Sequence, residues 1–290
     1  MHYLYLVSAV FLAPCMGVSG SLFGRKTAGR RDATTLYQLI FCVSAALGWV
    51  ALFFTSPSFD ARVIPYSLIF GLCYAVATFG YISALRTGPV ALTSFIVNLS
   101  MIATVIWGFF FWDTRFTWLI ALGLALVAIS LWLCLYTGRE KSGSKISLKW
   151  LLYTLTAFAA NSGCCITQKT QQLNFDGQHG SLMMLFAIFS ASLFSLFVYL
   201  RSDKSDTKSI VRSSAVIFPI FAGCMNVLQN LMVILLATAP ISPGMVYPVI
   251  AVGDLSLTSI LSIFLLKERL RIWQWCGIAI GAAAVVILSI

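Results

Sequence analysis

Asp254 lies within an apolar stretch of the chain, 243–266, and is the only acid well inside any such stretch. A carboxylate at that depth in hydrocarbon costs roughly 2.5–3.5 kcal/mol on insertion scales, so it must face protein or a water-filled space. Two chemistries suit it: holding the cationic part of a solute, or exchanging a proton. The competing reading is a structural aspartate hydrogen-bonded to nearby backbone or hydroxyl groups. Helical spacing places Tyr247, Ala251, Asp254 and Thr258 on one face. Pro248 lies in the same stretch, where its missing N–H can bend the helix and free a carbonyl, which makes it the first candidate for a gate or hinge.

Other polar residues are spaced to share helix faces. Asn226, Gln229 and Asn230 stand at i, i+3 and i+4. Tyr74, Thr78 and Tyr81 stand at i, i+4 and i+7, and can close over a cation through ring electrostatics or supply hydroxyl donors. Ser94 and Asn98 are one turn apart, and Asn161 opens a polar stripe with Cys164, Cys165 and Gln168. Each group also has a structural reading. Amides across membrane helices contribute about 0.6–2 kcal/mol and hold bundles together, tyrosines pack or sit at the interface, and small polar residues permit close approach. The tryptophans, including Trp112, Trp118, Trp150, Trp273 and Trp275, fall at the ends of apolar stretches as an aromatic belt would. Arg86, Asp113, Arg115, Lys267 and Glu268 also fall at such ends and read as anchors or local ion pairs.

No catalytic set accompanies these residues. His2 and His179 lie outside the apolar stretches, and there is no phosphate-binding glycine loop or metal-ligand spacing. The chain is expected not to be an enzyme or an ATP-driven pump, and to need no metal or cofactor. All eight cysteines fall inside apolar stretches, where a thiol behaves as a small apolar group rather than as part of a disulfide or zinc framework.

The elements that must position these residues follow from composition. The 290 residues are 60% hydrophobic and only 10% charged, which excludes a soluble domain, where about a quarter is charged. Ten apolar stretches recur, at 3–22, 35–54, 64–84, 89–111, 116–136, 148–168, 181–200, 214–237, 243–266 and 272–290. At 1.5 Å per residue, about 20 residues cross a hydrocarbon core of about 30 Å. The expected fold is an all-α integral membrane protein of ten transmembrane helices. No basic region precedes the first stretch and no small-residue cleavage site follows it, so it is expected to remain in the mature protein.

The net charge of +10 resides in short connections rather than on one folded face, so it points to lipid headgroups and topology and not to nucleic acid. With the N-terminus outside, 16 of the 19 basic residues fall in cytoplasmic loops and only Arg62, Arg115 and Lys169 on the other side. The Lys/Arg bias therefore places both termini outside.

Two halves, 1–140 and 141–290, carry a weak repeat. Pro89 pairs with Pro240 at an offset of 151 and Gly123 with Gly277 at 154, and the turn T-R-F-T at 114–117 answers E-R-L-R at 268–271. Five traverses per half is an odd number, so tandem copies face opposite ways, and in such inverted repeats substrate sites lie near the midplane where the halves meet. Ser100 falls roughly where the offset places the counterpart of Asp254.

At L-R-T-G-P-V-A (85–91), P-V-I-A-V-G-D (248–254) and K-E-R-L-R-I-W-Q-W-C-G (267–277), the chain resembles the drug/metabolite transporter superfamily, specifically its ten-helix EamA-type members. The resemblance implies a ten-helix bundle around a central cavity and a secondary-transport role. It implies cytoplasmic termini, opposite to the charge count. It also differs at two points: Thr114 stands where members often carry Glu, and the first stretch lacks the embedded acid of the related four-helix multidrug proteins. The function expected is secondary transport of a small polar, possibly amine-bearing metabolite by alternating access. Its partners would be that solute, membrane lipid and a proton or other coupling ion. The alternatives are an exporter of amphiphilic cations and a non-transporting scaffold.

Overall fold

The computed structural model describes residues 2–30, 32–55, 57–111, 117–136, 147–237, 243–267 and 272–287. Within these, side chains are described except at 2, 101, 102, 104, 105, 109, 131, 134–136, 237, 243–249, 251, 252, 255, 256, 266 and 285. The residues at 112–116 and 268–271, which include Trp112, Asp113, Arg115 and Glu268, lie outside the described ones.

Among the described residues the fold is all-helical. The helices are α1 (His2–Lys26), α2 (Ala33–Phe53), α3 (Ile64–Thr87), α4 (Val90–Asn98), α5 (Met101–Phe111) and α6 (Trp118–Tyr136). There follow α7 (Leu148–Asn174), α8 (Gly180–Arg201), α9 (Thr207–Arg212), α10 (Ile217–Ala237), α11 (Pro243–Leu266) and α12 (Ile272–Ile287). Hydrocarbon leaves backbone groups no partner but each other, so apolar stretches of this length close into helices. Five of the described segments are long and apolar enough to cross a membrane: Tyr3–Lys26, Ala33–Phe53, Ala61–Thr87, Gly180–Arg201 and Ser214–Leu236. The chain is therefore a multi-pass membrane protein by length and composition.

Local chemistry sets several helix starts. Ser147 caps α7 by accepting from the Trp150 backbone N–H at 3.0 Å. Asp60 caps the 3₁₀ turn that leads into α3 and also binds the Arg62 guanidinium at 2.8 Å. Those side-chain hydrogen bonds hold the Asp60 carboxyl down to about 2.

One element departs from the sequence expectation. The stretch 89–111 was read as one continuous helix, but it is two, α4 and α5, interrupted at Leu99 and Ser100. The Ser100 N–H turns tightly back to the Val97 carbonyl at 3.1 Å. Neither proline nor glycine stands at the break.

Helix α1 packs on α10 and α11, α2 on α8 and α10, and α3 on α7 and α8. Helix α4 packs on α11 and α7, and α6 on α12. Hydrogen bonds fix which helix ends meet. The end of α1 meets the start of α10 through Lys26 Nζ to Ser214 Oγ at 3.0 Å, and the start of α2 meets the end of α8 through Thr35 and Ser202 at 3.2 Å. At the other pole, the end of α7 meets the start of α3 through Asn174 and Tyr66 at 2.8 Å. Helix α1 thus runs toward the pole holding Lys26, and α7 runs away from it.

Bare backbone at two glycines of α3 lets its neighbours approach this closely. A Cβ on Gly71 would overlap Ser190 Oγ and the Ala187 carbonyl of α8. One on Gly80 would sit 3.0 Å from Ala157 N and Tyr153 O of α7. Replacing Gly71 by Val is expected to wedge α3 from α8 and destabilise the protein by at least about 1–3 kcal/mol, read as a lowered midpoint in a thermal-unfolding assay of the detergent-purified chain.

Candidate functional site

Asp254 stands near the middle of α11. Its Oδ1 accepts from Thr258 Oγ1 one turn later at 3.1 Å, as the helical spacing required, and its Oδ2 accepts from Asn98 Nδ2 at 2.7 Å. Asn98 is the last residue of α4, so its amide is presented at the break in the helix. On the other side of the break, Ser100 Oγ accepts from Asn161 Nδ2 of α7 at 2.6 Å. Two side chains flanking Leu99 are therefore drawn to different helices, Asn98 to α11 and Ser100 to α7. Residues two apart on a regular helix are already turned about 200° from each other, so the two side chains leave the break on opposite sides.

A third pair completes the group. Tyr81 of α3 and Ser94 of α4 share a hydrogen bond of 2.8 Å, and the Tyr81 hydroxyl lies within electrostatic reach of Asp254. Helix α1 closes against both. A Cβ on Gly17 would meet the Tyr81 hydroxyl at 2.9 Å, and Gly253 beside Asp254 abuts Val10. Asp254, Asn98, Asn161 and Tyr81 all keep partial accessibility, while Thr258, Ser94 and Ser100 are buried. The polar group is thus a carboxylate, two amides and a phenol, supported by three hydroxyls.

The structure brings together Asp254, Thr258, Asn98, Asn161 and Tyr81 of the sequence candidates. The side chains of Tyr247 and Pro248 lie outside the described ones. Tyr74 and Thr78 do not join. Tyr74 is stacked between Phe41 and Phe70, with ring centroids at 6.3 and 5.9 Å, and the Thr78 hydroxyl bonds back to the Tyr74 carbonyl at 2.6 Å. The expected single face of Tyr74, Thr78 and Tyr81 is therefore divided, with Tyr74 serving the core between α2 and α3. On α10, Asn226 is buried near Tyr74, and Asn230 Nδ2 donates to the Asn226 carbonyl at 2.9 Å. No described hydrogen bond ties Asn226, Gln229 or Asn230 to the Asp254 group.

Two residues read as interface markers are built differently. Trp150 is fully buried, donating from Nε1 to Thr93 Oγ1 at 2.8 Å, whereas Trp118 and Trp273 are exposed as a belt requires. Arg86 makes no described ion pair. Its guanidinium donates to Thr34 Oγ1 and to the carbonyls of Thr27 and Arg30 at 3.2 and 3.1 Å, which braces the turn between α1 and α2.

No family model matches this sequence, and no curated protein does. The chain is similar to a solved structure described only as "Crystal structure of protein", with a TM-score of 0.65 at 14% identity over 99% of this chain and 95% of that one. That likeness shows the fold alone.

A double-mutant cycle tests the central bond. Asn98→Ala leaves a carboxylate oxygen without its donor and is expected to cost about 1–3 kcal/mol. In an Asp254→Asn background the same change is expected to cost less, with a coupling of at least about 0.5 kcal/mol between the two positions in thermal unfolding.

Proposed function

We propose that this chain is a secondary transporter moving a small polar, amine-bearing metabolite by alternating access, of the drug/metabolite transporter type that its motifs resemble. One observation carries the reading. The Asp254 carboxylate, in mid-helix, is held by the neutral donors Asn98 and Thr258, and the ion pair of Arg62 with Asp60 lies elsewhere. A carboxylate in a low-dielectric setting calls for a positive charge, which a solute amine or a coupling proton supplies. The break beside it has the form that transporters use at the midplane, where irregular backbone lines a cavity.

With α4 and α5 taken as one broken traverse and α9 as a connecting segment, the chain has ten traverses in two inverted halves. The opposite directions of α1 and α7, the first helix of each half, support this. So does the packing. The contact of α1 with α10 has its counterpart in α7 with α3, and that of α3 with α8 in α10 with α2. The halves differ in chemistry, with an acid at 254 and Ser100 near the corresponding place. In alternating access, the two halves rock about this fixed group.

A thermal-shift screen of amines, amino acids, sugars, nucleotides and cationic drugs on the purified chain is expected to return at least one amine that raises the midpoint by mass action. Asp254→Asn is expected to abolish that shift. A set of stabilising solutes indifferent to the substitution would sink the assignment. The Lys/Arg bias adds an orientation: an alkaline phosphatase fused after Ile290 should be active and a fluorescent protein fused there dark, and the reverse pattern would place the termini inside.

A further inference from the structure

Between α2, α3 and α8, away from Asp254, the structure holds an open-sided groove of about 210 Å³. Its walls are Val76 and Phe79 of α3 and Phe194 and Val198 of α8. Three polar side chains also reach it, and each has turned its donor elsewhere. Gln38 Nε2 donates to the Ala75 carbonyl at 3.2 Å, and Ser195 Oγ donates to the Ala191 carbonyl at 2.7 Å. Thr35 Oγ1 donates to the Asp32 carbonyl at 2.9 Å. The Gln38 side-chain oxygen is buried and makes no hydrogen bond. An occupant therefore meets hydrocarbon and no free donor. In a protein surrounded by lipid, that selects an acyl chain over a polar solute.

The mouth of the groove has the opposite character. Arg201 follows Val198 by one turn of α8 and lies on the same side. The segment 201–212 exposes Arg201, Lys204, Lys208 and Arg212 against two acids, Asp203 and Asp206. Two of these bases are propped on rings, Arg201 over Phe197 at 4.6 Å and Lys204 over Tyr199 at 5.6 Å, which fixes their charged ends at the helix terminus. Thr35 and Ser202, bonded to each other, close the groove floor at that level. An apolar slot one turn below a cluster of cations matches the two ends of one molecule.

We infer that this groove is a binding site for an anionic phospholipid, with one acyl chain between α2, α3 and α8 and the phosphate against Arg201 and Lys204. Because α2 and α3 belong to the first half of the sequence and α8 to the second, the lipid bridges the halves at the pole where Lys26 also meets Ser214. The site is independent of Asp254, so it stands or falls separately from the transport reading.

The test is lipid retention by the full chain, purified in detergent with phosphatidylglycerol or phosphatidylcholine of identical acyl chains and measured by native mass spectrometry. Phosphatidylglycerol is expected to be retained and phosphatidylcholine lost. The double substitution Arg201→Ala, Lys204→Ala is expected to weaken retention about thirtyfold, at about fivefold per basic residue. Val198→Trp, which fills the slot and leaves the bases in place, is expected to abolish it. Val76→Phe, on the opposite wall, serves if the first variant does not fold. Equal retention of the two lipids overturns the proposal, as does retention indifferent to the base substitutions or to both fillers.

Discussion

Inside hydrocarbon a polar atom has no water to return to, and the polar group around Asp254 is built by satisfying such atoms without it. The backbone solves the problem by closing into helices. Most hydroxyls solve it locally by bonding to the carbonyl one turn back, as Thr78, Ser67 and Thr154 do. Asp254 cannot be served by its own helix alone. Thr258 satisfies one oxygen, and the other reaches to a different helix for Asn98. That long-range bond ties α11 to α4, and beyond the break Ser100 is held by α7.

The break between α4 and α5 costs the hydrogen bonds of a continuous helix, and the side chains on either side of it return that cost by linking three helices. Small residues let the linkage be tight. Gly17 allows α1 to lie against Tyr81, and Gly253 allows it to lie against α11. The result is a polar group assembled from α3, α4, α7 and α11 and roofed by α1. In an inverted-repeat reading, these are helices from both halves, so any relative movement of the halves acts directly on the hydrogen bonds around the carboxylate.

The sequence made some of this legible and not the rest, for physical reasons. An acid in the middle of an apolar stretch is conspicuous because it is costly, and Thr258 follows from helical spacing. Asn98 and Asn161 stood out as amides, but which partner each would find depends on how the helices rotate about their axes. Helices that are apolar all round carry no facing signal in their pattern. For the same reason Tyr74 and Tyr81 looked equivalent, although one is packed among rings and the other reaches Ser94. The break at Leu99 had no proline or glycine to announce it. Trp150 looked like a belt residue because position in a stretch reports depth along the membrane normal and says nothing of whether the ring faces lipid or a neighbouring helix.

Arg86 carries a consequence of a different kind. Its guanidinium stays charged at any pH a cell meets, and its acceptors, two carbonyls and a threonine hydroxyl, do not titrate. The clamp it forms between the end of α3 and the turn joining α1 to α2 is therefore indifferent to acidity, and it is less exposed to salt than an ion pair on the surface would be. Helices α1, α2 and α3 are fastened at that pole by a joint whose hydrogen bonds need no counter-charge among their acceptors.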